Sequence, residues 1–129
     1  PCRKTSPARA PLFPRSGPRY VAPMKTADFR SFDEFWPYYL SEHANVLNRR
    51  LHFVGTTLVN LIVLAALVAM EPRWLLACPV AGYGFAWVGH FIVEKNRPAT
   101  FKHPLWSLMG DYRMYGQMLR GRLWGPAAR

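Results

Sequence analysis

Two long uncharged stretches dominate the pattern of apolar and polar positions. The first, FVGTTLVNLIVLAALVAM, runs from Phe53 to Met70, and the second, WLLACPVAGYGFAWVGHFIV, runs from Trp74 to Val93. As helices rising about 1.5 Å per residue they reach ~27–30 Å, close to the hydrocarbon thickness of a bilayer. Both are apolar on nearly every face, and a chain of 129 residues is too short to wrap two such helices inside a soluble bundle. The pattern predicts two transmembrane helices, at about residues 52–70 and 74–93, joined by the charged turn Glu71-Pro72-Arg73.

Amphipathic segments flank the pair. Ser31-Phe32-Asp33-Glu34 has capping-box spacing, and Pro37 downstream implies a late helix start or a kink. After Pro104, the residues Leu105, Leu108, Met109, Tyr112, Tyr115 and Leu119 share one helical face, with Trp106, Trp124, Arg113, Arg120 and Arg122 nearby. That composition predicts a helix lying on the membrane surface. Within the second span Gly82, Ala86 and Gly89 form a stripe that lets the first span approach closely, and Pro79 is a candidate kink. His52, Thr56 and Asn60 form a polar stripe on the first span, expected to face a partner helix. The expected fold is all-α: an integral membrane helical hairpin with flanking interfacial helices.

Charge separates the N-terminus from the rest. Residues 1–23 carry five basic and no acidic residues, are rich in Pro, Arg and Ser, and lack a hydrophobic period; they read as a disordered leader or upstream sequence. Residues 24–129 read as a single membrane-embedded domain, whose 12 basic and 7 acidic residues lower the net charge from +10 to +5. Arg49, Arg50, Lys95, Arg97 and Lys102 flank the open end of the hairpin, whereas its turn holds only Arg73. The positive-inside rule then makes both termini cytoplasmic. The positive charge is explained by an anionic membrane face, so a nucleic-acid partner is not expected. The membrane would be a bacterial inner membrane or, in a eukaryote, the endoplasmic reticulum; pairing with further copies of the chain stays open. Two cysteines, Cys2 and Cys78, form neither a disulfide framework nor a zinc site.

The chemistry lies in the histidines, His43, His52, His90 and His103. Folding the chain at residues 71–73 puts His52 opposite position 92, between His90 and Glu94, which are themselves i, i+4 on one face. Three ionisable groups thus meet at one depth near the cytoplasmic end, where such groups tend to be functional. His43 joins them if the chain bends between Asn45 and Asn48, with Asn48 capping the first span. Imidazole and carboxylate suit iron, zinc or manganese, and the absence of thiolate ligands argues against structural zinc. A hydrogen-bonded pair serving only helix packing, a non-catalytic lipid- or metal-binding protein, and a metal-dependent acyl-lipid hydrolase stay open on spacing alone.

The blocks EHANVLNRRLHFVGT (42–56) and VGHFIVEKNRPATF (88–101) resemble the two signatures of the membrane 2-hydroxy fatty acid dioxygenases. The matching positions are His43, Asn48, Leu51 and His52, then Gly89, His90, Glu94, Lys95, Arg97, Pro98 and Ala99. His103 has no counterpart in that pattern. The resemblance implies an iron(II)-dependent enzyme of fatty-acid α-oxidation that consumes dioxygen and shortens a 2-hydroxy fatty acid by one carbon. It implies His43, His52 and His90 as ligands of Fe(2+), with Glu94 a fourth ligand or an acceptor orienting a histidine ring. Arg97 or Lys95 would pair with the substrate carboxylate, Asn48 would border the substrate, and the acyl chain would lie in the bilayer.

Overall fold

The computed structural model describes residues 29–126, which are helical with no strand among them; residues 1–23, expected to be a leader, lie outside the described residues. Helix α1 spans Phe32–Ser41 and α2 spans Val46–Val68. The second long limb has three parts: a 3-10 helix Pro72–Ala77, helix α3 Cys78–Trp87, and a π-helical segment Val88–Glu94. A short 3-10 turn, Ala99–Phe101, leads to α4, Pro104–Leu119.

Each boundary has a local cause. Ser31 Oγ accepts from the Glu34 N–H at 3.3 Å, and the Glu34 carboxylate accepts from the Arg30 N–H at 3.0 Å. Helix α1 starts at Phe32 with Pro37 inside it, so no late start is needed; the carbonyl that loses its helical partner belongs to Asp33, which is exposed. Helix α2 starts earlier than the uncharged run suggests. Its cap is Asn45, whose side chain accepts from the Leu47 N–H at 2.8 Å, and not Asn48, which sits buried in the first turn. At the other end Met70 takes the left-handed conformation (φ 54°), and the Glu71 N–H bonds the Ala66 carbonyl at 2.9 Å. This is a Schellman closure with methionine where glycine is usual. Pro79 is the second residue of α3, where the 3-10 winding of the limb gives way to α-helix.

The two limbs pack closely through glycine. Gly55 sits against Ala81 and Phe85, Gly82 against Val59, and Gly89 against Asn48. The 3-10 start rises ~2 Å per residue and covers depth in fewer residues than an α-helix. The limb is therefore shifted by several residues from a fold symmetric about the turn, and His52 does not face position 92.

Both limbs, Val46–Val68 and Pro72–Glu94, are long and apolar enough to cross a membrane, and few of their side chains are buried. The buried core lies at one end, where Phe35 and Tyr39 of α1 meet Met114 and Met118 of α4. The opposite face of α4 leaves Leu105, Leu108, Met109, Tyr112 and Leu119 exposed. The polar stripe of α2 meets α4: Asn60 Oδ1 accepts from Tyr112 OH at 2.9 Å, and His52 bonds Asp111. Arg49 is buried, donating to the carbonyls of His43, Ala44, Leu123 and Gly125, and so ties the segment after α4 to the start of α2.

Candidate metal centre

The break between α1 and α2 turns His43 back over the next helix, and the π segment of the second limb supplies His90. With His52 from the second turn of α2, three buried histidines bring one ring nitrogen each to within 4.8 Å of one another. Their ring centroids lie 4.5 Å (His43–His52), 4.6 Å (His43–His90) and 5.2 Å (His52–His90) apart.

Each ring is held from behind by an acceptor. His43 Nδ1 lies 2.7 Å from the Tyr39 carbonyl, His52 Nδ1 lies 3.0 Å from the Asp111 carboxylate, and His90 Nδ1 lies 2.8 Å from Asn96 Oδ1. The Asn96 amide is oriented by its other end, because Nδ2 donates to both the carbonyl and the carboxylate of Glu42 at 3.0 and 2.9 Å. All three Nδ1 atoms therefore carry the proton, which leaves a lone pair on every Nε2. His43 Nε2 and His52 Nε2 face each other at 3.2 Å. Two lone pairs repel at that distance, whereas a cation shared between them satisfies both. Burial, reinforced by His52 and His90 beside it, holds His43 well below the usual imidazole range, so the ring is neutral as ligation requires. Burial and the Asp111 carboxylate raise Tyr39, which therefore keeps its O–H and donates it to Asp111. Three imidazoles with no thiolate among them fit a borderline divalent cation such as iron(II), zinc or manganese.

Glu94 does not join the three. Its carboxylate accepts from the Asn45 N–H at 2.6 Å and from Asn48 Nδ2 at 3.4 Å, at the positive end of α2. Lys95 takes the left-handed conformation (φ 57°) after the π segment, and this turn brings Asn96 back to His90. Lys95 and Arg97 are exposed, and Arg97 borders a separate hollow with Glu42 and Lys102. His103 stacks on Trp106 in the aromatic cluster around Phe35. Asp111 and Asn96 were missed by the motif reading. Asp111 did leave one trace, as the sole acidic residue after Glu94 in the chain.

A cavity of about 270 Å³ opens beside the centre, with His52, His90 and Asp111 at one end and Val59, Cys78 and Pro79 among its walls. No lysine or arginine lines it among the described residues.

Fold and site together define an all-helical protein with a buried three-histidine cluster able to hold a metal ion. Residues 29–123 match the family described as 2-hydroxy-palmitic acid dioxygenase Mpo1-like, and the chain belongs to that family. The family's description implies a dioxygenase with a fatty-acid substrate. No curated protein and no solved structure matches the chain.

Proposed function

We propose that this chain is a membrane-embedded, iron(II)-dependent dioxygenase that shortens 2-hydroxy fatty acids by one carbon. The observation that carries the reading is the set of three buried histidines, each with its Nδ1 held by an acceptor, in a member of this family. His43, His52 and His90 would hold the iron, with Nε2 the ring nitrogen that the Nδ1 contacts leave for it. When bound, iron(II) supplies the activation of dioxygen that organic side chains cannot provide.

The chain's own residues do the rest. The Tyr39 carbonyl, Asp111 and Asn96 fix the tautomer and direction of each ring, which is how outer partners tune a metal site. Glu94 and Asn48 tie the π segment that carries His90 to the start of α2. With no cation in the cavity wall among the described residues, the substrate's carboxylate and 2-hydroxyl are directed to the centre itself. Lys95 and Arg97, exposed beside the π segment, draw that carboxylate to the interface before it enters. Across the whole reaction the carboxyl carbon leaves as carbon dioxide and C2 becomes the new carboxyl group. Dioxygen is the oxidant, and water is the remaining product.

The two apolar limbs cross the bilayer as a hairpin, and the exposed face of α4 lies along the interface. Such exposure suits lipid, since the core helices of a soluble protein would be mostly buried.

Oxygen uptake by detergent-purified protein tests the reading. Uptake should require both iron(II) and a 2-hydroxy fatty acid. His90→Ala should abolish it and lower bound iron while the protein still inserts in the membrane, and His103→Ala should keep both. Undiminished uptake by His90→Ala at unchanged iron content would overturn the proposal. Release of free fatty acid without oxygen would identify a hydrolase instead.

A further inference from the structure

The cavity beside the histidines is walled by stripes at helical spacing. On the second limb His90, Trp87, Ala86, Tyr83 and Gly82 lead down to Pro79 and Cys78; on α2, His52, Thr56 and Val59 run the same way. His90 lies twelve positions beyond Cys78, or ~18 Å at the α-helical rise. One leaflet of a bilayer is ~15 Å of hydrocarbon, half the usual core thickness. A groove that starts at the metal ligands and runs about one leaflet deep fits a single acyl chain. Its walls become more apolar away from His52, His90 and Asp111.

We infer that this groove holds the acyl tail of the substrate and measures its length, and that Gly82 is a specificity-determining position. The inference rests on the proposed dioxygenase reading for the head group's place at the histidines. A Cβ on Gly82 would meet only Val59 Cγ2, at 3.5 Å, so the position has room for a methyl; Gly82 and Val59 both line the cavity, so a larger side chain takes up space between them. A tail long enough to pass this level contacts Val59, Pro79 and Cys78, whereas a short one ends above it. Gly84, two residues on, is exposed with nothing within 4 Å of an added Cβ, so bulk there points away from the groove.

The test compares iron-loaded wild type, Gly82→Ala, Gly82→Leu and Gly84→Leu on saturated 2-hydroxy acids from eight to eighteen carbons. Gly82→Leu should lower kcat/KM for the longest acids by at least about tenfold and leave the shortest within a factor of about two. Gly84→Leu should keep the wild-type profile, and Gly82→Ala should shift it less than Gly82→Leu. An equal loss at every chain length in Gly82→Leu, at unchanged iron content, would overturn the inference, as would the same shift in Gly84→Leu. A second measurement does not depend on turnover. A long-chain 2-hydroxy acid with a photoreactive diazirine at its terminal carbons, cross-linked to wild type in membranes, should label the segments around Val59 and Cys78. Labelling confined to the α4 surface, or none, would overturn the groove assignment even in an active enzyme. Labelling at Val59 and Cys78 without oxygen uptake would leave the groove standing and overturn the dioxygenase reading alone.

Discussion

Asp111 accepts from two groups at once, the His52 Nδ1–H and the Tyr39 hydroxyl, and so holds one ring of the histidine cluster from behind. Glu94 has the same functional group but spends its charge elsewhere, on the backbone N–H of Asn45 at the start of α2. Paired substitutions separate the two. Asp111→Asn keeps the size and removes the charge, so iron affinity should fall by roughly 10–100-fold with the helices intact. Glu94→Gln should bind iron normally and lose about 1 kcal/mol of thermal stability, the usual worth of a carboxylate at a helix N-terminus. Iron titration and melting of both variants in detergent check this, and the reverse pattern would make Glu94 the ligand-side residue. The three histidines were legible because two of them sit at the ends of obvious apolar runs, where an ionisable group is conspicuous. Asp111 and Asn96 were not: one acts across 59 positions, and the other reaches His90 only through the left-handed turn at Lys95.

At the scale of the helices, the site depends on two places where backbones come close. A Cβ on Gly89 would overlap Asn48 Oδ1, and Asn48 is fully buried with no open space to retreat into. A Cβ on Gly110 would lie 2.7 Å from the ring of Tyr39, the ring on which His43 stacks. Gly89→Ala and Gly110→Ala should each cost about 1–3 kcal/mol, the range for overpacking a filled interior. The two should differ in kind: Gly110→Ala displaces Tyr39 and with it His43, whereas Gly89→Ala pushes the π segment and His90 off α2. Melting temperature and iron affinity together report this, and unchanged values for both variants would show that the helices are looser than their packing indicates. Helix existence was readable from composition and caps. The winding of the second limb was not, because 3-10, α and π segments share one apolar composition. The shift in register that follows from that winding was unreadable for the same reason. The small-residue stripe was read as packing alone, yet Gly82 and Ala86 also border the cavity.

At the largest scale the asymmetry that matters is between the two ends of the paired apolar limbs. At the turn, Arg73 is paired with Glu71 at 3.1 Å, so little unbalanced positive charge is left there. At the other end Arg49 is buried on four carbonyl oxygens and acts as a structural clamp, which removes it from the flank on which the orientation was first read. Arg50, Lys95, Arg97 and Lys102 are still exposed at that end, so the bias keeps its sign. Both ends of the chain should therefore be cytoplasmic and residues 71–73 external. Reporter fusions after Arg129 and before residue 29, with a third inserted at the turn, measure this directly. The same orientation puts the histidine centre near the cytoplasmic interface, where Asn45 and the π segment meet, and the groove toward the bilayer's middle. A 2-hydroxy acid would then approach head first from the cytoplasmic leaflet, and a shortened acid would leave to the same leaflet. An external reading at either terminus, with the turn cytoplasmic, would invert the molecule and move the centre to the opposite membrane face. Opposite readings at the two termini would exclude the two-span hairpin altogether.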